Sequence, residues 1–187
     1  MEFSDITAFL PILLKGALIT VQITIGALLL STLLGLLLAL MKLSPVRALS
    51  LTAGTFINVV RGLPIIVQLF YIYFVLPELG IQLSAFQASI IGLGVAYSAY
   101  QAENFRAGIE AIEAGQIEAA RSIGMKSKLI MRRVVLPQAI RIALPPYGNT
   151  AVMILKDSSL ASTITVAEMT RAGQLIAAST FQNTTVY

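Results

Sequence analysis

A bilayer's hydrocarbon core is about 30 Å thick, and a helix needs roughly 20 apolar residues to cross it. Four stretches of the chain approach that length. The clearest lies between Lys15 and Lys42, where the 26 residues from Gly16 to Met41 carry no charge and end in the Leu-rich run Leu33 to Leu40. A second runs from Ala48 to about Leu76 and is interrupted only by Arg61. A third begins near Ala85, stays uncharged to Ala102, and can continue past Glu103 and Arg106. The fourth, Ile142 to Ala167, is uncharged except for the adjacent pair Lys156 and Asp157. The pattern predicts an all-α, polytopic membrane helix bundle with four visible spans.

Composition agrees. Of 187 residues 57% are hydrophobic and 12% charged, about half the charged share of an ordinary soluble domain. Loop charge gives the orientation. Lys42 and Arg47 flank the turn at Pro45, and seven of the thirteen bases lie between Arg106 and Arg141, so both regions are expected in the cytoplasm. Glu78 lies in a loop without bases, and Glu2 and Asp5 open the chain, so these read as outside. The N-terminus is then outside, and so is the tail after Thr170. Acids rather than bases precede the first apolar run, which is also too long for a signal peptide, so it reads as a retained anchor. The isoelectric point near 9.6 is accounted for by the cytoplasmic loop. That loop lacks interleaved aromatics, which argues against a nucleic-acid partner. Histidine and cysteine are both absent, removing the commonest general base and the usual zinc ligands, so no catalytic or metal site is expected.

On the third span Ala88, Gly92 and Ala96 recur every fourth residue, with Gly94 nearby. Small residues at that spacing let helix backbones approach closely in lipid, here most simply within one chain.

From Gly108 to Pro137 the character changes to GIEAIEAGQIEAARSIGMKSKLIMRRVVLP. Its first part favours helix by propensity. Ile109, Ile112, Gln116, Ala119, Ala120 and Ile123 fall near one face, and Gly124 stands where a helix would stop. Physics alone predicts a short amphipathic helix outside the bilayer, its apolar face resting on a partner or on the lipid interface.

Glu118-Ala119-Ala120, then Gly124 after three residues, Val134 after nine more, and Leu136-Pro137 resembles the EAA loop of permease subunits of binding-protein-dependent ABC importers. Val134 stands where Ile is usual. Four further segments resemble the polar amino acid branch of that family: Arg61 to Gln68 its RGxPxxxQ segment, Tyr100 to Ile109 its YxAExxRGGI stretch with Ala107 for the first Gly, Lys156 to Leu160 its KDTSL segment, and Ala167 to Arg171 its AELTR segment. The resemblance implies a type I importer permease fold, with residues 1–187 as a single transmembrane permease domain and 108–137 as its cytoplasmic coupling loop. It also implies a fifth span after the position of Tyr187, and residence in a bacterial inner membrane. Glu118, Ala119, Ala120, Arg121 and Gly124 would then meet an ATP-binding cassette subunit, present in two copies. A second permease chain, identical or homologous, and an extracytoplasmic solute-binding protein complete the implied set of partners. The chain holds no G-x-x-x-x-G-K-[ST] phosphate loop, so ATP and Mg are expected on the partner and this subunit is not itself an enzyme.

Charges at membrane depth tend to face cavities or partners. Arg61, Glu103 and Asp157, with Gln68 and Ser98, are therefore the candidate substrate ligands. An amino acid zwitterion needs both signs: Glu103 and Asp157 are expected to take its ammonium or a cationic side chain, Arg61 its carboxylate, and Gln68 a hydrogen bond. The competing expectation is internal pairing, of Glu103 with Arg106 at i,i+3 and of Lys156 beside Asp157. Pro145-Pro146 predicts a break or kink in the fourth span. An ion-coupled amino acid transporter is the alternative function, though no internal repeat supports it. An intramembrane protease is disfavoured, since there is no histidine and, of the two aspartates Asp5 and Asp157, the first is expected at the extracellular start of the chain.

Overall fold

The computed structural model describes residues 3–186, and side chains from Thr7 onward. The expected external positions of Glu2, Tyr187 and the Asp5 side chain lie outside the described residues. The chain forms nine α-helices among those residues: α1 (Phe3–Lys42), α2 (Arg47–Gly62), α3 (Ile65–Phe70), α4 (Ala85–Glu110), α5 (Ala114–Ser122), α6 (Ser127–Ile130), α7 (Leu136–Asp157), α8 (Met169–Thr180) and α9 (Asn183–Val186). Wider π turns extend α3 through Tyr71–Val75 and join α6 to α7 through Met131–Val135. No strand occurs among the described residues. The all-α expectation holds.

Thr7–Lys42 is the single helix among the described residues that is long and apolar enough to cross a membrane by itself; α2 with the helical segment Ile65–Leu79 meets the same measure only as a pair. That pair corrects the second expected span, which is two helices. Pro64 has no N–H to donate, and it biases Leu63 away from helical backbone. Pro64 itself sits at φ −57°, ψ 134°. The Gln68 side-chain amide closes the break by donating to the Leu63 carbonyl at 3.0 Å.

The fourth expected span also changes its bounds. Its helix starts at Leu136 and ends at Asp157, followed by the 3-10 segment Ser158–Ile164. Of the break or kink expected at Pro145-Pro146, the break does not occur: α7 continues as helix through both prolines. The Thr150 hydroxyl there donates to the Pro146 carbonyl at 3.0 Å.

Two compact units partition the chain. The first comprises Met1–Leu30, Leu63–Val95 and Met153–Tyr187. Its interior holds Ile23 and Ala27 from α1, Leu69 from α3, Ala88 and Leu93 from α4, and Ile154 from α7. The small residues of α4 work as the spacing predicts. A Cβ on Gly94 would lie 2.6 Å from the Leu30 side chain, and one on Gly92 would lie 2.8 Å from Leu69. α8 lies equally close to α1, since a Cβ on Gly16 would lie 2.9 Å from the Met169 Cα.

The second unit comprises Ser31–Gly62 and Ala96–Val152. Ile57 and Val60 of α2 pack on Ala99 and Ala102 of α4, with Leu38 of α1 against them. Gly35 brings α1 onto α4, where a Cβ would lie 2.6 Å from that of Gln101, and Gly108 brings α4 within similar reach of the Ala139 carbonyl on α7. A second core, Ile112, Ala120, Ile130 and Val135, holds the loop 108–137 together.

Candidate functional site

The loop builds its outward face from a helix break. The α4 helix ends at Glu110, and Glu113 turns the chain with extended backbone before α5 begins. That break resets the helical phase, so the face expected for one continuous helix is corrected. Ile117 and Ala120 point inward onto Ile112, Ile130 and Val135, whereas Gln116, Ala119 and Ile123 are exposed.

The α5 C-terminus is fixed by backbone hydrogen bonds. Met125 N–H donates to the Ala120 carbonyl at 3.1 Å and Gly124 N–H to Arg121 at 2.9 Å, the pairing of a Schellman cap. Gly124 adopts φ +82° with nothing near its missing Cβ, so backbone conformation rather than space demands glycine. Met125 then packs back on the loop core while Ile123 is left 79% exposed. Of the residues expected at a partner interface, Glu118, Ala119, Arg121 and Gly124 are exposed. Ala120 is not: at 5% exposure it anchors α5 from behind. Gln116 is tied to α7 by the Gln138 amide at 2.7 Å.

The second unit also carries three of the five candidate substrate ligands. Glu103 is fully engaged: one oxygen accepts from Lys42 Nζ at 2.6 Å, and the other accepts from Arg106 Nε at 3.1 Å and Nη2 at 2.6 Å. Arg106 in turn pairs with Glu110. The i,i+3 pairing with Arg106 is therefore present, and Lys42, 61 residues away, adds a partner that sequence spacing could not reveal. Arg61 is exposed, its guanidinium carbon 5.2 Å from the centre of the Tyr100 ring. Stacking of this kind orients a guanidinium while leaving its N–H edges available. Ser98 is fully buried. A polar chain runs beside it from α4 to α7: the Asn104 amide donates to both Gln101 Oε1 and Thr150 Oγ1 at 3.2 Å.

The other two candidates lie in the first unit. Gln68 serves the break before α3, as described above. Asp157 is half-buried at the C-terminal end of α7, beside an exposed Lys156. This unit also holds a buried charge absent from the candidate set, Glu168, which is 1% exposed. Its carboxylate caps α8 by accepting from Thr170 N–H at 2.9 Å and Arg171 N–H at 2.7 Å, with the Thr20 hydroxyl at 3.4 Å. An acid directly before a helical run is a capping signal, so this role was legible. Glu168, Lys156, Ser159 and Thr170 line a cavity of about 380 Å³ in the same unit.

Comparison with known proteins gives these features a context. Residues 31–187 match the family described as binding-protein-dependent transport system inner membrane component. The chain is 40% identical over 177 residues to a probable amino-acid ABC transporter permease, YckA, of Bacillus subtilis, covering 95% of this chain and 78% of that protein. It is 39% identical over 171 residues to the L-cystine transport system permease TcyB of the same organism, covering 91% and 73%. Among solved structures, an amino acid ABC transporter with histidines matches at a TM-score of 0.93 and 39% identity, covering all of this chain and 87% of that one. The methionine transporter MetNI shares the fold at a TM-score of 0.77 and 21% identity, covering all of this chain and 89% of that one. With the helical architecture, the exposed α5 and these relatives in agreement, the chain belongs to the inner membrane components of binding-protein-dependent transport systems.

Proposed function

We propose that this chain is the membrane-spanning subunit of an ATP-driven importer of polar or charged amino acids. It crosses a bacterial inner membrane four times within residues 1–187, as one permease domain with its N-terminus outside and the loop 108–137 in the cytosol. An extracytoplasmic binding protein delivers the substrate, a second permease chain completes the pathway, and two ATP-binding subunits hold ATP and Mg. Relatives named as amino-acid permeases support the substrate class. Family membership favours ATP coupling over the ion-coupled alternative.

The observation that carries this reading is α5. Glu118, Ala119, Arg121 and Ile123 are presented outward on a helix braced from behind by Ile117 and Ala120. A braced helix transmits a push; an unbraced one absorbs it. Closure of the ATP-binding subunits needs only to favour one of two packings of the spans for access to alternate.

For the substrate, Arg61 is the ligand best prepared for a carboxylate, because Tyr100 holds it and its hydrogen-bonding edges remain open. Glu103 is a weaker candidate for the ammonium, since both oxygens already serve cations. Asp157 is carried as a separate candidate for that ammonium.

The test is uptake by the reconstituted complex in proteoliposomes against a panel of amino acids. Uptake should require ATP and withstand an ionophore. Ile123→Asp, which places a charge at the outward knob, should reduce ATP-driven uptake on the order of thirtyfold, the loss expected for an interface hot spot. Arg61→Gln should raise the KM for every zwitterion while leaving ATPase assembly intact. Uptake that proceeds without ATP and collapses with an ionophore would overturn the proposal.

A further inference from the structure

We propose that the second unit carries a binding site for one anionic phospholipid of the cytosolic leaflet. One acyl chain lies in a groove between α1, α4 and α7, and Arg132 and Arg133 hold the headgroup phosphate. The groove encloses about 380 Å³ and is lined by Leu36, Phe105, Ile109, Ile140, Ala143 and Leu144 among others. Its lining is almost wholly apolar, which suits a hydrocarbon chain and not a zwitterionic substrate. The surface around it is apolar, since Leu33, Leu37 and Leu40 of α1 and Leu136, Ile140 and Leu144 of α7 are all exposed.

Length and charge identify the occupant. Along α7 the lining runs from Leu136 to Tyr147, roughly 16 Å at 1.5 Å per residue. That is one leaflet of a hydrocarbon core about 30 Å thick. The outer end is closed by the Thr32 and Tyr147 hydroxyls, 3.1 Å apart. At the other end the chain continues into Arg132 and Arg133, both exposed and in no ion pair among the described residues. Arg132 lies four residues before Leu136, about one helical turn beyond the groove's mouth. The nearby acids do not cancel these charges: Glu110 is taken by Arg106, and no ion pair joins Glu113 or Glu118 to either arginine among the described residues. An apolar slot one leaflet deep, with two free guanidinium groups at its cytosolic mouth, has the chemistry of an acidic phospholipid. The assignment of that mouth to the cytosol rests on the orientation proposed above.

The test uses the assembled transporter in nanodiscs containing a photoactivatable-acyl phosphatidylglycerol at trace level. Expected is cross-linking to the peptide 136–147, displaced by unlabelled phosphatidylglycerol and at least tenfold less well by phosphatidylcholine. Each basic residue near a membrane surface is worth about fivefold in binding an acidic lipid, so Arg132→Gln with Arg133→Gln should weaken labelling roughly 25-fold. Ile140→Trp, which fills the slot from an exposed position, should remove labelling at 136–147 with both arginines intact. Association with the ATP-binding subunit confirms that each variant is folded. Equal displacement by phosphatidylcholine, or undiminished labelling in the arginine variant, overturns the proposal. So does cross-linking of 136–147 to protein instead of lipid, from a second copy or from another segment of the chain. Loss of transport with labelling intact would count against the proposed function and leave this site standing.

Discussion

Helices α1 and α4 share the interior of each unit but are built on opposite plans. Across its most apolar window α1 is only 28% buried, and many of its leucines are exposed, Leu33 at 69%. α4 hides Ser89, Ser98 and Gln101 completely, along with Tyr97 and a run of alanines. The more hydrophobic helix is thus the one at the periphery. Lipid rewards leucine on the outside, whereas a helix enclosed by protein gains from small side chains and from hydrogen bonds. Hydropathy therefore finds α1 readily and undervalues α4, the helix that holds these buried polar groups and two of the candidate ligands, Ser98 and Glu103.

Four substitutions break or sharpen this contrast. Leu33→Arg puts a charge on the lipid face of α1 and should cost about 3 kcal/mol in insertion, read as the fraction integrated in a membrane-insertion assay. The same charge at an enclosed α4 position would instead report on packing. Gly94→Leu should destabilise the folded chain by about 1–3 kcal/mol through overpacking, because even a Cβ there meets Leu30. Its readout is a lowered melting temperature of the purified transporter. Glu103→Gln removes the hub joining Lys42 to Arg106; with Glu103 20% exposed, a loss of about 1 kcal/mol is expected. A double-mutant cycle with Lys42→Met should show clear coupling, and an additive cycle would rule the ion pair out as a stabilising contact. Gly54→Ala is the counterpart of Gly94→Leu: its Cβ meets nothing, so the melting temperature should hold or rise, by about 0.5–1 kcal/mol of stability at most.

The loop shows where legibility ended. Its helical character, its stop at Gly124 and the outward placement of Glu118 and Arg121 all follow from residue types and short spacings. The identity of the inward residues did not, because the break at Ala111–Glu113 shifts the phase and exchanges Ile123 for Ile117. Likewise Glu103 and Arg106 are neighbours by helix periodicity, but Lys42 joins them only because α1 returns to the same end of α4. Arg61 could be placed at membrane depth by counting residues, while its stacking on Tyr100 needed α2 and α4 side by side.

Local chemistry within the chain determined the membrane environment, the helical class, the basic loop and the family. Each rests on transfer free energy, propensity or a motif confined to a few neighbouring residues. Tertiary structure decided which polar groups are spent on one another and which stay open. Glu103, Gln68 and Glu168 are committed to ion pairs, a helix break and a helix cap; Arg61 and Ile123 are left presented. A side chain's availability depends on what approaches it through space, and residues dozens of positions away supply that approach.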